Sequence, residues 1–367
     1  MAPSLKVTVN GIEFENPFML ASGPPGTNGK VIAKSFELGW GGNVCKTVSL
    51  DAEKVINTNP RYAKLRDPKH PDVVIGFENI ELISDRPFAT WIEEFRELKK
   101  NYPKHVLIVS IMEEYRKSAW QEIDERVQET GVDGLEMNLS CPHGLPERRM
   151  GQAMGENPDI AEEVVGWVRE VATIPVWAKM TPNVGNICAT PQAVVRAGVD
   201  GLSAINTILS IIGVDLKTLR PMPTVENHAV AGGYSGQAVR PIALRQIMEI
   251  KRMFPDTPVS GMGGIGTGYD AAQFILLGCH TVQVCTSAML QGYEVIEKMK
   301  RELGEVMSEH GFDTLDEMRG KALDALTTHA DLVARQQRAH DAKVATGKDA
   351  ETWQGSIKEE TDALTTN

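Results

Sequence analysis

Short apolar runs alternate with longer amphipathic segments along most of the chain. Eight runs read as buried strands: Phe18–Ala21, Asn43–Val48, Val106–Ile111, Gly134–Asn138, Pro175–Met180, Gly201–Asn206, Pro258–Gly263 and Thr281–Thr286. Between them, segments such as Ala89–Lys100, Ala119–Thr130, Pro158–Val171, Pro191–Ala197, Pro241–Met253 and Gly268–Leu277 carry apolar residues at helical spacing. Ahead of the first run, Leu5–Val9 and Ile12–Phe14 flank Asn10-Gly11, a pair suited to the type I′ turn of a hairpin. Strands that alternate with helices pair in parallel through right-handed crossovers, and eight such units make a (β/α)8 TIM barrel. A doubly wound sheet has the same periodicity. The barrel is preferred because polar residues punctuate nearly every strand end and converge only in a closed ring.

Beyond about Leu326 the pattern changes. The segment from Thr327 to Asn367 is polar and charged apart from Leu332, Val333 and Trp353, which predicts one amphipathic helix and a loosely packed tail. The expected organisation is a barrel over residues 1–326 and a helical tail over 327–367, with Trp353 anchoring it to the barrel or to a neighbouring subunit.

Composition narrows the function. With 367 residues, 42% of them hydrophobic and 24% charged, the chain can bury an ample core. A formal net charge of -11 argues against a nucleic-acid surface, which needs clustered Lys and Arg, and favours a small-molecule or protein partner. Met1–Lys6 lacks the apolar run of a signal peptide and no stretch approaches membrane-spanning length, so no membrane partner is expected. The five cysteines, at 45, 141, 188, 279 and 285, are scattered without CxxC spacing. They read as thiols of a cytoplasmic protein, with no zinc or iron–sulfur site and with Cys188 and Cys279 in the core.

The densest chemistry follows the fourth strand. Asn138-Leu139-Ser140-Cys141-Pro142-His143 puts an amide, a hydroxyl, a thiol and an imidazole within six residues. Pro142 cannot continue a strand, so these side chains sit on a loop at the strand's C-terminal edge, where parallel α/β proteins build active sites. Taken alone, Cys141 reads as a small buried hydrophobe; the run as a whole reads as a site. Other strand ends contribute Ala21-Ser22-Gly23, small enough for a flat ring to approach, then Lys46-Thr47, Lys179 with Asn183 beyond it, and Asn206-Thr207. The third strand ends on no obvious functional side chain. Lys46 and Lys179, inside apolar strands, need anionic or strongly polar partners: either structural glutamates or, beside three asparagines, a bound anionic or electron-rich ring. The turn Gly263-Gly264-Ile265-Gly266 opens a helix near Gly268, and strand eight delivers Cys285-Thr286-Ser287. Bare N–H groups at such a helix start predict a phosphate cradle, in the place where barrels commonly put one.

These motifs carry a specific resemblance. Gly41-Gly42 with Lys46-Thr47, Asn79-Ile80-Glu81, Asn138–His143, Ala178–Asn183, Ile205-Asn206-Thr207, Gly233-Tyr234-Ser235-Gly236 with Val239–Ala243, and Gly263-Gly264-Ile265 occur in order between about Lys6 and Leu323. Together they resemble the flavin- and pyrimidine-binding domain of the dihydropyrimidine dehydrogenases, within the dihydroorotate dehydrogenase superfamily of FMN-binding barrels. The resemblance implies that Lys46 and Lys179 contact the isoalloxazine and ribityl regions of FMN, with Ala21, Ser22 and Thr47 beside them. It implies that Ser235, Gly236, Gly263, Gly264, Cys285 and Thr286 hold the phosphate and nearby ribityl groups. Asn79, Asn138, Asn206 and Thr207 would bond the alternating carbonyls and N–H groups of a pyrimidine, a task amides suit because each both donates and accepts. Hydride from the reduced flavin would reach C6 while Cys141 protonates C5, with Ser140 and His143 tuning or positioning the thiol. The loop Gly144–Gly155, with Glu147-Arg148-Arg149, reads as a mobile lid or as an exposed charged turn.

The match also has gaps. The relatives carry or append cysteine-rich ferredoxin-like domains that this sequence lacks, so electrons are expected from a separate reductase partner, with the tail helping it to dock. His143 and the Gly76–Glu81 loop match the dihydropyrimidine type. Soluble dihydroorotate oxidisers instead carry Asn after Cys-Pro and a Met-Gly-Leu-Pro-Asn loop. A dihydroorotate dehydrogenase, another ring oxidoreductase and a non-catalytic flavin-binding protein stand as alternatives. The superfamily implies a homodimer.

Overall fold

The computed structural model describes residues 3–52, 55–140 and 150–341. The chain divides into two compact units, Met1–Asp324 and Ala325–Asn367. In the first, a hairpin of β1 (Val7–Val9) and β2 (Ile12–Phe14) precedes the barrel. Its turn has positive φ at both Asn10 (51°) and Gly11 (79°), the geometry an Asn-Gly pair favours.

Eight parallel strands then close a ring in chain order: β3 (Phe18–Leu20), β4 (Gly42–Val44), β7 (Val106–Ile111), β8 (Gly134–Asn138), β9 (Val176–Lys179), β10 (Gly201–Ala204), β15 (Val259–Met262) and β16 (Thr281–Val284). Each coincides with one of the eight expected runs, and closure disposes of the doubly wound alternative. The helices that return the chain are α1 (Gly29–Glu37), α2 (Phe88–Asn101), α3 (Lys117–Gln128), α5 (Pro158–Arg169) behind the short α4 (Gln152–Gly155), α6 (Ala189–Arg196), α7 (Arg240–Met253), α8 (Gly268–Leu276) and α10 (Val295–Glu309) behind α9 (Thr286–Gln291). Local chemistry sets several starts: Asn28 caps α1, while Asn157 with Pro158 opens α5. A short helix α11 (Leu315–Met318) ends the first unit's regular structure, and the second unit contains α12 (His329–Asp341). Trp353 lies outside the described residues. Among the described residues no helix is long and apolar enough to cross a membrane.

Four further strands and a separate two-stranded ladder lie outside the expected runs. The segment after β4 contributes β5 (Tyr62–Arg66) and β6 (Val74–Asn79); the segment after β10 contributes β11 (Ile208–Ser210) and β14 (Gly232–Ser235), with the two-residue ladder β12 (Val214–Asp215) and β13 (Arg220–Pro221) between them. They assemble an antiparallel sheet in the order β11-β14-β6-β5, with Asn79 opposite Gly233 and Phe77 opposite Ser235. Two insertions more than a hundred residues apart are thereby joined at the C-terminal end of the barrel.

The barrel interior is partly polar. Gln283 Nε2 donates to Glu136 Oε2 (2.8 Å), and Thr281 Oγ1 donates to Ser260 Oγ (2.8 Å). Outside the ring, Asp124 of α3 is buried, and neither carboxylate oxygen has a hydrogen-bond partner. Burial, then nearby Glu125, pushes its carboxyl up to about 7. A carboxyl raised on folding favours the protonated folded state, so stability falls as pH rises from the unfolded value, about 3.9, towards 7. Asp124→Asn should therefore raise the melting temperature more at pH 8 than at pH 5. An equal change at both pH values in thermal unfolding would refute this.

Candidate active site

A cleft opens at the C-terminal ends of the barrel strands. Its lining brings together the expected ends of the first two strands, Ala21-Ser22 and Lys46-Thr47, with Asn138, Lys179 and Asn206-Thr207 from the fourth to sixth. The accessory sheet adds Asn79, Ser235 and Gly236, and the seventh and eighth strands add Gly263-Gly264 and Cys285-Thr286. Cys141 and His143 lie outside the described residues, as does the expected lid before Met150.

A hydrogen-bonded rim connects the polar groups. Thr47 Oγ1 accepts from Asn138 Nδ2 (2.9 Å) and lies 3.1 Å from Ser22 Oγ and 2.9 Å from Ser110 Oγ. Ser110, at the end of the third strand, thus supports the site although no obvious functional side chain follows that strand in the sequence. Ser140 is buried behind the lining, where its hydroxyl accepts from Asn206 Nδ2 (2.9 Å) and donates to Asn138 Oδ1 (3.3 Å). Asn206 Oδ1 in turn accepts from the Thr207 backbone (2.8 Å). Buried amides tied in this way present fixed donor and acceptor faces. Asn79 Nδ2 donates to the Gly233 carbonyl (3.1 Å), which joins the rim to the sheet. Asn183 stands apart: it donates to the Thr207 carbonyl and accepts from the Leu209 backbone, so it organises the loop after β10.

Lys46 and Lys179 are both buried, have carboxylate partners and still line the cleft. Lys46 Nζ lies 2.7 Å from Glu81 Oε2, and Arg61 Nη1 lies 2.9 Å from the other oxygen of the same carboxylate. Burial alone would raise the Glu81 carboxyl; Lys46, with help from Tyr62 and Arg61, holds it below the usual range. Lys179 Nζ lies 3.4 Å from Glu136 Oε1. Burial pushes the Cys285 thiol up to about 11 despite the nearby Lys179 and Lys46, so it is protonated at neutral pH.

The glycine end of the cleft corrects one expectation. The first N–H groups of α8 do not form a bare anion cradle. Asp270 accepts from Gly266 and Thr267, Glu302 accepts from Gly268, and Thr267 Oγ1 accepts from Asp270 N in a capping box. Asp270, in the first turn of α8 itself, and Glu302, from α10, have consumed the donors that sequence proximity left open. The lining is instead the turn before the helix. Gly264 has φ +78°, and a Cβ there would sit 2.8 Å from the Arg240 backbone nitrogen, so only glycine fits. Ser235 Oγ, 2.9 Å from Thr286 Oγ1, links this end to the accessory sheet.

Several lining residues went unassigned in the sequence: Tyr62, Phe77, Glu81, Tyr234 and Gln283. Glu81 had a signal, because a carboxylate within Ile80-Glu81-Leu82-Ile83 is as costly to bury as a lysine. Among the described residues, no cluster of His, Cys, Asp and Glu could hold a metal ion.

Residues 4–307 match the family described as Dihydroorotate dehydrogenase. The chain is 51% identical over 377 residues to "Dihydropyrimidine dehydrogenase (NADP(+)), chloroplastic" of Arabidopsis thaliana, covering all of this chain and 88% of the relative. It is 41% identical to "NAD-dependent dihydropyrimidine dehydrogenase subunit PreA" of Escherichia coli K12, covering 90% of this chain and 80% of the relative. To "Dihydroorotate dehydrogenase B (NAD(+)), catalytic subunit" of Pyrococcus abyssi it is 35% identical, covering 87% and 99%. With that breadth of match laid over a closed barrel and its polar cleft, the chain belongs to the dihydroorotate dehydrogenase family of flavin-dependent oxidoreductases.

Proposed function

We propose that this protein is the FMN-binding catalytic component of a dihydropyrimidine dehydrogenase, acting on the C5–C6 bond of uracil- or thymine-type rings. The observation that carries the reading is the convergence of both buried lysines, Asn79, Asn138, Asn206 and Thr207 on one cleft that ends in a glycine turn. The residues fit such a cofactor. The small Ala21-Ser22 end and the lysines suit a flat, electron-rich ring, while Ser235, Gly236, Gly263, Gly264, Cys285 and Thr286 suit a phosphate-bearing tail. The two relatives named for dihydropyrimidine support the substrate class.

Bound flavin supplies the hydride chemistry at C6. The chain's own residues do the rest. Asn79, Asn138, Asn206 and Thr207 would read the edge of the substrate ring, and Lys46 and Lys179 would contact the flavin. Cys141 carries the proton for C5, His143 tunes or positions it, and Ser140 fixes the two amides. Asn206→Ala removes one ring contact and unties Ser140, worth about 1–1.5 kcal/mol. It should raise KM for the ring about tenfold with flavin content preserved, read by steady-state kinetics and flavin absorbance.

Electrons come from a separate protein, a reading supported by the bacterial relative's name as one subunit. The barrel, residues 1–326, forms a homodimer in the cytoplasm, and the tail, 327–367, contributes to partner docking. Deletion after Thr327 should weaken partner binding and leave the flavin in place; unchanged partner affinity removes the tail from this role. The substrate test is anaerobic: the flavin is photoreduced and mixed with uracil, thymine or orotate. Reoxidation by uracil or thymine alone is expected, whereas reoxidation by orotate alone would make the protein a dihydroorotate dehydrogenase.

A further inference from the structure

Beneath the cleft floor lies a charge that the proposed reaction does not use. Strand alternation puts Glu136 on the same face of β8 as Asn138, one layer deeper in the barrel. It is 1% exposed and lines a small internal cavity with Ser203, Ser260, Thr281 and Gln283. Gln283 also lines the cleft, so it separates the two spaces. One carboxylate oxygen of Glu136 is clamped by Gln283 Nε2 at 2.8 Å. The other makes no hydrogen bond and lies 3.4 Å from Lys179 Nζ. Lys179 is itself 4% exposed and forms part of the cleft lining. In so buried a layer, charges act on each other and on a bound ring with little screening. Lys46 shares the Glu81 carboxylate with Arg61, whereas Lys179 faces Glu136, so the Lys179–Glu136 balance bears on the field at the floor.

We propose that Glu136 is a positioning residue for the flavin site: by anchoring and balancing Lys179, it holds the reduction potential of the bound flavin below the value the lysine alone would impose. The inference rests on the flavin reading above. Reduction adds electrons to the ring, so a cation beside it favours the reduced form, and an anion behind that cation cancels part of the effect. Glu136→Gln keeps the shape and the contact with Gln283 but removes the charge.

The test is the midpoint potential of the flavin-loaded, full-length protein, measured against redox dyes. In Glu136→Gln it should rise by the equivalent of at least a tenfold change in the reduction equilibrium, about 30 mV for a two-electron couple. An unchanged or lower potential overturns the proposal. Should that variant fail to fold, the neutral pair Glu136→Gln with Lys179→Met decides. Its potential should stay within tenfold of wild type because the two charges cancel, whereas a larger fall would show that Glu136 does not balance the lysine. A wild-type protein that holds no flavin would instead refute the flavin reading, before either variant is compared.

Discussion

Replacing Cys141 by serine should leave a protein that takes up flavin normally and turns over about a hundredfold more slowly or worse. A positioned general acid contributes about 10²–10⁴ in rate, and its efficiency depends on a pKa near the working pH. A thiol, at about 8.5 unperturbed, meets that condition; a serine hydroxyl is a far weaker acid. The residue before it is already placed: buried Ser140 is held by Asn138 and Asn206, so the chain enters the Cys141 position from a fixed point on the cleft rim. Cys285 lines the cleft, but burial has pushed its thiol to about 11, which makes it the poorer donor. The measurement is stopped-flow reoxidation of the reduced protein by the pyrimidine, with flavin content as the control. Turnover equal to wild type would exclude Cys141 as the acid.

Gly264→Val should give a destabilised protein that purifies without flavin. At φ +78° a side chain costs about 1–3 kcal/mol through conformation alone, and a Cβ would also meet Arg240 N at 2.8 Å and Arg240 Cα at 3.0 Å. Those are backbone atoms at the start of α7, and they cannot yield without moving that helix. Arg240 is also ion-paired with Asp270, the residue that caps α8, so displacement reaches both helices behind the glycine end of the cleft. Melting temperature and the flavin-to-protein absorbance ratio check the outcome. A variant with wild-type values for both would remove this turn from the cradle.

The two variants probe parts of the site that were unequally legible beforehand. The Asn138–His143 run stands out in the sequence because a proline, which cannot continue a strand, falls in a chemically dense segment, a purely local signal; of that run, the described site contains Asn138 and Ser140. The glycine turn lines the cleft, but the N–H groups at the start of α8 are not bare. The donors of α8 look bare in sequence because Glu302, which accepts from Gly268, lies 34 residues further on. The accessory sheet escapes the sequence for a related reason: β11 and β14 are only 3 and 4 residues long, and β14 joins them to β6, contributed by a different insertion. Strands that short have no periodicity of their own to read.

By itself the sequence determined the eight strand–helix units, the hairpin turn, and which side chains stand at the C-terminal strand ends, because alternation, proline and glycine act over a few residues. Tertiary structure alone decided who partners whom. Lys46 meets Glu81 across 35 residues, and Gln283 meets Glu136 across 147. Such pairs exist only once the ring closes and its interior excludes water, when each buried charge must be matched by whatever carboxylate or amide the closure brings within reach.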